Sequence, residues 1–329
     1  MRVQLLWGCD PSRQFEAAWL RHLIGADLST AWPWWRPSDA LPAAQAGAVP
    51  VLVESGLLRL ERAPAPERIA QLGRERQARL QALRQRGPFA VMHLSDEEGL
   101  DADSWYGALP PDTPIWRNFA HERLAADPRV QAFPIGPRDL FLAPLAEPLL
   151  PASQRAAPWA FMGTLWPSGS RRWAVSLFLS HLPAGHFYGG QHFGQGLPLE
   201  RYQANLLSSV FALAPEGDRH LDTFRLWESL CCGCIPLLVD HRNTAQRLLP
   251  AAHPLPLLAS WPEALAFAKR LLAHPARLDA LQAGVQAWWR GYQHHLSLAL
   301  HDSWLAVQQA PGQGESSDSS PLPGPCGCC

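Results

Sequence analysis

An α/β fold in two domains is predicted by three features of the chain. A strand is followed at once by a helix at the start, a strand–helix–strand unit runs from Phe211 to Val239, and 329 residues, 47% of them hydrophobic, suffice for two cores. Met1 to Gly8 reads as the first strand, too short for the apolar region of a signal peptide. Pro11-Ser12 then opens a segment to Leu23 with Phe15, Ala18, Trp19 and Leu23 at helical spacing, closed by Gly25.

Composition narrows the function classes. A formal net charge of −1 and a pI near 6.9 give no long-range field for nucleic acid or an anionic membrane, and Lys269 is the sole lysine beside many arginines. No apolar run is long enough to cross a bilayer, so no transmembrane segment is expected. Fifteen tryptophans are many for this length. Trp32, Trp34 and Trp35, broken by Pro33 and Pro37, form either a hydrophobic plug or a sugar-stacking platform. Seven cysteines include Cys231, Cys232 and Cys234, and a terminal Cys326, Cys328 and Cys329. No pair of CxxC motifs exists, so zinc is not expected, and the middle three are read as buried thiols in a reducing compartment.

Further elements alternate in order. Val49 to Val53 is a strand, Glu67 to Arg86 a helix with a solvated charged face, and Phe89 to Leu94 a buried strand. The last ends at Ser95-Asp96-Glu97-Glu98-Gly99, an acidic stretch at the carboxyl end of a strand, where open α/β sheets place ligands. One of its carboxylates can serve as a general base, or the stretch is an acidic surface loop. Ile115 to Phe119 and Arg129 to Ile135 follow as strand segments, the second closed by Gly136-Pro137. From Ala143 the prolines 144, 148, 151 and 158 mark a linker. The expected division is a first Rossmann-like domain over 1–143, a linker over 144–157, a second over 158–310, and a disordered tail over 311–329.

In the second domain Pro158 to Gly163 is a strand, Thr164 to Ser170 a loop, and Arg171 to about Leu182 a helix. His186 to Gly190 is a weak strand, and Leu199 to Leu207, Trp261 to Ala273 and Leu278 to Val307 are helical in pattern. The central unit joins a strand at Phe211–Ala214, a polar loop from Glu216 to His220, Asp222 as expected N-cap, a helix, Gly233 at its end, and the apolar strand Ile235–Val239. On that helix Leu226, Leu230 and Trp227 share one arc, while Arg225, Glu228 and Ser229 share the other, which is expected to look out. A helix N-terminus with unpaired N–H groups suits phosphate. Arg225 and Glu228 are either ligand contacts there or a solvated i,i+3 pair.

The residues F-x-L-x-P-x-G, D-T-x-R-L-W-E-S-L and G-C-I-P, carried by Pro215, Gly217, Thr223, Arg225, Glu228, Gly233 and Pro236, resemble the signature of exostosin-like glycosyltransferases. The resemblance implies a GT-B architecture, two Rossmann-like domains facing a central cleft, with the nucleotide sugar held mainly by the second. It implies that Gly217, Thr223, Arg225 and Glu228 line the donor pocket, Glu228 holding the ribose, and that Arg172, beside Arg171, meets the phosphates unless the two merely open an exposed helix. A shorter resemblance covers H-x-S-D-E, pointing to Asp96 and Glu97 as candidate bases, and the segment at Arg117-Asn118, where Arg117 contacts the diphosphate or anchors its loop. The family implies an inverting, metal-independent transfer to a glycan or lipid-linked acceptor, without a cofactor beyond the nucleotide sugar. Its membrane-anchored relatives make a chain lacking an anchor an expected cytoplasmic, bacterial-type member. The alternative is an inactive nucleotide- or carbohydrate-binding protein of the same fold. Burial of the helix's charged side with no room for a pyrophosphate would count against the enzyme.

Overall fold

The computed structural model describes residues 2–309 apart from 26–33, 37, 57–64, 98, 100, 102–104, 120, 167–169, 193–194 and 218. Trp32, Glu98 and the terminal cysteines lie outside the described residues.

Two parallel five-stranded sheets organise the chain. The first has strands β1 (Arg2–Trp7), β2 (Ala48–Ser55), β3 (Ala90–Leu94), β4 (Ile115–Arg117) and β5 (Val130–Ala132), side by side in sequence order. One further parallel bridge, Trp7 to Trp34, lies outside the named strands, with Trp35 N–H donating to Trp7 O at 2.8 Å. That bridge puts a one-residue strand on the far side of β1, so the chain reverses direction across the sheet between β1 and β2. Alternation sorts the side chains: Val49, Val51 and Val53 join one core, while Leu52 joins another with Leu80, Phe89 and Trp105.

Helix α1 is shorter than the expected segment, running Ala17–Ile24 behind a 3₁₀ turn at Pro11–Arg13. Asp10 caps the turn through Ser12 N–H at 3.0 Å, and Gly25 ends the helix at a φ of 67°. Helix α2 (Pro66–Arg86) departs from the expected solvated face. Arg76 and Arg79 are buried, because their guanidinium groups pair with Glu54 at the end of β2 and with Asp101.

The second sheet contains β6 (Ala157–Thr164), β7 (His186–Gly190), β8 (Ser209–Leu213), β9 (Ile235–Val239) and a short β10 (Leu257–Leu258), ordered β10-β9-β8-β6-β7. Counted within the domain this is 2-1-3-4-5, the doubly wound order whose switch point lies between its first and third strands. Here that crevice is between β6 and β8. Helices α3 (Arg171–His181), α4 (Leu199–Leu207), α5 (Phe224–Cys231), α6 (Ala245–Leu248) and α7 (Trp261–Leu272) complete the domain. Gly233, at a φ of 69°, follows the C-cap Cys232 and lets the chain turn directly into β9.

Helix α8 (Pro275–Gln309) ties the domains together. Its buried residues Leu278, Gln282, Val285, Trp289, Leu296, Leu300, Trp304 and Val307 form one stripe at spacings of three, four and seven. At ~1.5 Å per residue such a helix is long enough to serve both sheets. Gln282 bonds Ala152 N in the linker and Gly233 O in the second domain, whereas Ser303 accepts from Trp116 Nε1 and Ser297 donates to Leu23 O in the first. Among the described residues no helix is long and apolar enough to cross a membrane.

Candidate functional site

The carboxyl-edge loops of the two sheets meet at the N-terminus of α5. The loop after β8 touches all three loops that follow β3, β4 and β5: His220 bonds Glu97 O at 3.1 Å and packs on Phe119, and Asp222 accepts from Ile135 N–H at 3.1 Å. Phe15, from the turn before α1, lies edge-on to Phe224 at 5.6 Å.

Each loop is fixed by polar bonds that its own sequence supplies. Asn118 accepts from Ser95 N–H and donates to Phe133 O, tying the ends of β3, β4 and β5 together. Arg171 donates to Thr164 O and Glu216 O, both at 2.9 Å, joining the loops after β6 and β8 across the switch point. Asp240 accepts from Thr244 N–H and Ala245 N–H at the start of α6, and Thr244 Oγ1 in turn accepts from Leu221 N–H.

Helix α5 departs from the expected arrangement in two respects. Thr223, not Asp222, is the N-cap, with extended backbone and no capping bond from its hydroxyl. Asp222 is drawn away because its carboxylate serves Ile135 N–H and the Trp227 indole N–H, the latter at 2.7 Å. Burial pushes this carboxyl up to about 7, against the pull of those two donors. Second, the charged arc does not look out: Arg225 is 9% exposed and Glu228 1%. The reason is tertiary. Arg138, in the segment after the first sheet, grips the Glu228 carboxylate with Nε at 2.5 Å and Nη2 at 3.2 Å, and lies over Tyr202 and Phe141. Arg225 lies 4.4 Å above the Phe161 ring and donates to Met162 O at 3.3 Å, over a Gly163 whose missing Cβ leaves the guanidinium its space.

This burial is not matched by full hydrogen bonding. Thr223 Oγ1 and Arg225 Nη1 are both buried and have no hydrogen-bond partner. Burial without a paired carboxylate lowers the Arg225 pKa. Both atoms belong to the first turn of α5, beside the switch-point crevice, where unpaired backbone N–H groups add positive potential. A buried donor left unmet costs about 1–3 kcal/mol, more when charged, so the pair favours an acceptor such as an anion.

The other sequence-derived positions fall as follows. Gly217 closes a turn with His220 O, and the Glu97 carboxylate lies 3.1 Å from where a Cβ on Gly217 would sit, so a side chain there would press on the acidic loop. Arg172 is exposed, donating to Trp166 O at 3.3 Å, and it is Arg171 that reaches the crevice loops. Asp96 is buried in an ion pair with Arg117 at 3.1 Å, and Arg117, fully buried, also bonds Asp96 O and Asn118 O. Arg117 therefore anchors its own loop. Arg138, Tyr202, His121 and His220 are in or beside this constellation without a motif to mark them, since each arrives from a separate loop or helix.

A concavity of about 490 Å³ runs along α2, lined in part by Arg74, Arg76, Gln77 and Trp105. Its buried Arg76 has its charge met by Asp101 and Glu54, although its Nε makes no hydrogen bond, whereas Arg225 at α5 has no carboxylate paired to it. Cys9, Cys231, Cys232 and Cys234 are free thiols, and burial raises the pKa of each. Neither a family model nor a curated protein matches the chain.

Proposed function

We propose that the protein is a glycosyltransferase that takes a sugar from a nucleotide diphosphate donor and passes it to a hydroxyl acceptor, with GT-B-like use of its two domains. The observation that carries this reading is the pair of unmet donors, Thr223 Oγ1 and Arg225 Nη1, at the N-terminus of α5 beside the crevice between β6 and β8. A diphosphate supplies oxygens to both, and the same groups oppose the negative charge that develops on the leaving group as the glycosidic bond breaks. Glu228, oriented by Arg138, offers its remaining lone pairs to ribose hydroxyls. Loops from the first sheet close the opposite wall and receive the acceptor. The resemblance to exostosin-like enzymes agrees with this division of labour.

Two observations weigh against turnover and favour a second reading. The charged arc of α5, expected to look out, is buried, with Glu228 already held by Arg138. Asp96 is held by Arg117, which removes one of the two expected bases and fits a nucleotide- or carbohydrate-binding protein without turnover. Calorimetry with UDP, GDP and CMP, followed by assay of the matching nucleotide sugars, separates the two. Binding with release of nucleotide supports the enzyme, binding alone supports the second reading, and no binding of any of the three removes both.

A further inference from the structure

The pair formed by Arg138 and Glu228 is lopsided. Glu228 is 1% exposed, whereas the Arg138 side chain keeps 32% of its surface open, so a molecule approaching this part of α5 meets the guanidinium first. Nε and Nη2 of Arg138 are both spent on the carboxylate, at 2.5 and 3.2 Å. Its Nη1 is bonded by no group among the described residues and, unlike Arg225 Nη1, is not shut off from solvent.

The guanidinium is held in place by the path of its own segment and by two aromatic rings. Asn118 holds Phe133 O, and Asp222 holds Ile135 N–H. Gly136, at a φ of 67°, then turns so close against Trp19 that a Cβ there would lie 2.2 Å from its ring. Arg138 comes to rest 5.4 Å from the centre of the Tyr202 ring and 5.9 Å from that of Phe141. Tyr202 belongs to the first turn of α4, and Glu228 lies one turn into α5. Both helices cross back between parallel strands, so both begin at the carboxyl edge of the second sheet. Arg138 therefore lies between two helix starts, on the side of the sheet's ligand edge.

We propose that Arg138 is a further binding residue for the donor, its Nη1 donating to an oxygen of the diphosphate while Glu228 fixes the guanidinium from behind. The proposal rests on the nucleotide-sugar reading above. Charge at this place calls for an anion. Burial above all, and the charge of Arg138 with it, lowers the pKa of Arg225, while Tyr202 and Glu228 act against them. Two guanidinium groups thus share one buried carboxylate, and the helix starts add positive potential of their own. An arginine tied through two nitrogens and presenting the third loses little freedom on meeting a phosphate. The diphosphate is then gripped jointly, by Arg225 from the second domain and by Arg138 from the segment after the first sheet.

The test is calorimetry on the full chain, with uridine against UDP and guanosine against GDP. The variants are Arg138→Lys, Glu228→Gln, and Arg138→Met combined with Glu228→Gln. The combined variant strands no carboxylate in the interior, so it removes the guanidinium without leaving a buried charge unpaired. Relative to Glu228→Gln alone, it should bind the diphosphate about 10- to 100-fold more weakly and the matching nucleoside within about threefold. Arg138→Lys, read against the parent, keeps the charge but loses the fork that holds Glu228 and reaches past it. It should show the same pattern at about three- to tenfold, and it decides the matter if the combined variant does not fold. Equal losses for nucleoside and diphosphate would make Arg138 a structural prop, and an unchanged diphosphate affinity would remove it from the site. Either result overturns the proposal and leaves the glycosyltransferase reading in place, whereas a parent that binds neither UDP nor GDP overturns both.

Discussion

Each sheet has a place where the chain reverses direction, and the two places are filled in opposite ways. Between β1 and β2 the crevice is closed by the protein's own charges. Arg79 meets Glu54 at 2.7 and 3.1 Å, and Arg76 meets Asp101 at 2.8 Å, Ser55 O at 2.9 Å and Glu54 at 3.5 Å. Gly8 leaves no room for even a methyl group, since a Cβ there would lie 2.2 Å from Glu54 Oε1. Between β6 and β8 the buried Arg225 meets one carbonyl and an aromatic face, and the nearby Glu228 carboxylate is gripped by Arg138 instead. A buried guanidinium bracketed by carboxylates has its charge met within the fold; one without them leaves charge for a ligand to meet.

That contrast makes opposite demands on substitutions at the two crevices. Arg76→Ala should destabilise the fold by ~3–5 kcal/mol, since it strands Asp101 in the interior and leaves Glu54 to Arg79 alone. Chemical denaturation measures this, and a loss under about 1 kcal/mol would show that the first crevice is not held by its charges. Asp101, whose carboxyl His93 and Arg76 hold near pH 2 against the opposing effect of burial, is the partner that suffers most.

The next effect belongs to Asp222. Its folded pKa of about 7 lies above the ordinary value of 3.8, so its contribution to stability is full below about pH 4 and is lost as the pH rises through 7. The parent should therefore lose up to ~4 kcal/mol between those limits relative to Asp222→Asn, which retains an acceptor for Ile135 N–H and Trp227 Nε1 but carries no charge. Thermal melts at pH 4.5, 6 and 8 read the difference. Parallel pH dependence in parent and variant would place the titration elsewhere.

Smaller and opposite in kind are the changes at α5. Arg225→Met should weaken nucleotide diphosphate binding by about 10- to 100-fold, the range of a charged hydrogen bond, with the melting temperature unchanged or raised. Thr223→Val should cost about tenfold or less in the same calorimetric measurement, again without loss of stability. Unfolding of Arg225→Met comparable to that of Arg76→Ala would erase the distinction between the crevices.

Much of this was legible in the chain before folding. Leu199–Leu207, Ile235–Val239 and Phe89–Leu94 could be placed because periodicity and bounding turn residues are local properties, and Gly233 announced its turn in the same way. Thr223, Arg225 and Gly217 stood out because they lie within one short loop and helix. The solvent side of α5 could not be judged so, because its cover is Arg138, 90 residues away in sequence. The same limit applied to Asp222, which has cap chemistry but bonds Ile135 in the other domain as well as Trp227, and to α2, whose arginines pair with Glu54 and Asp101 rather than with water. The strand reduced to the Trp34 bridge is too short for any pattern to reveal.

Alternating strands and helices, two cores, and a helix start with the chemistry of an anion site follow from residue order alone, since each depends on neighbours within a turn or a strand. Which arginine is neutralised and which is left with bonding to spare, which carboxylate is spoken for, and which histidine faces the junction depend on contacts between distant segments. Charge buried at a distance is decided by what packs over it, and no local pattern carries that information.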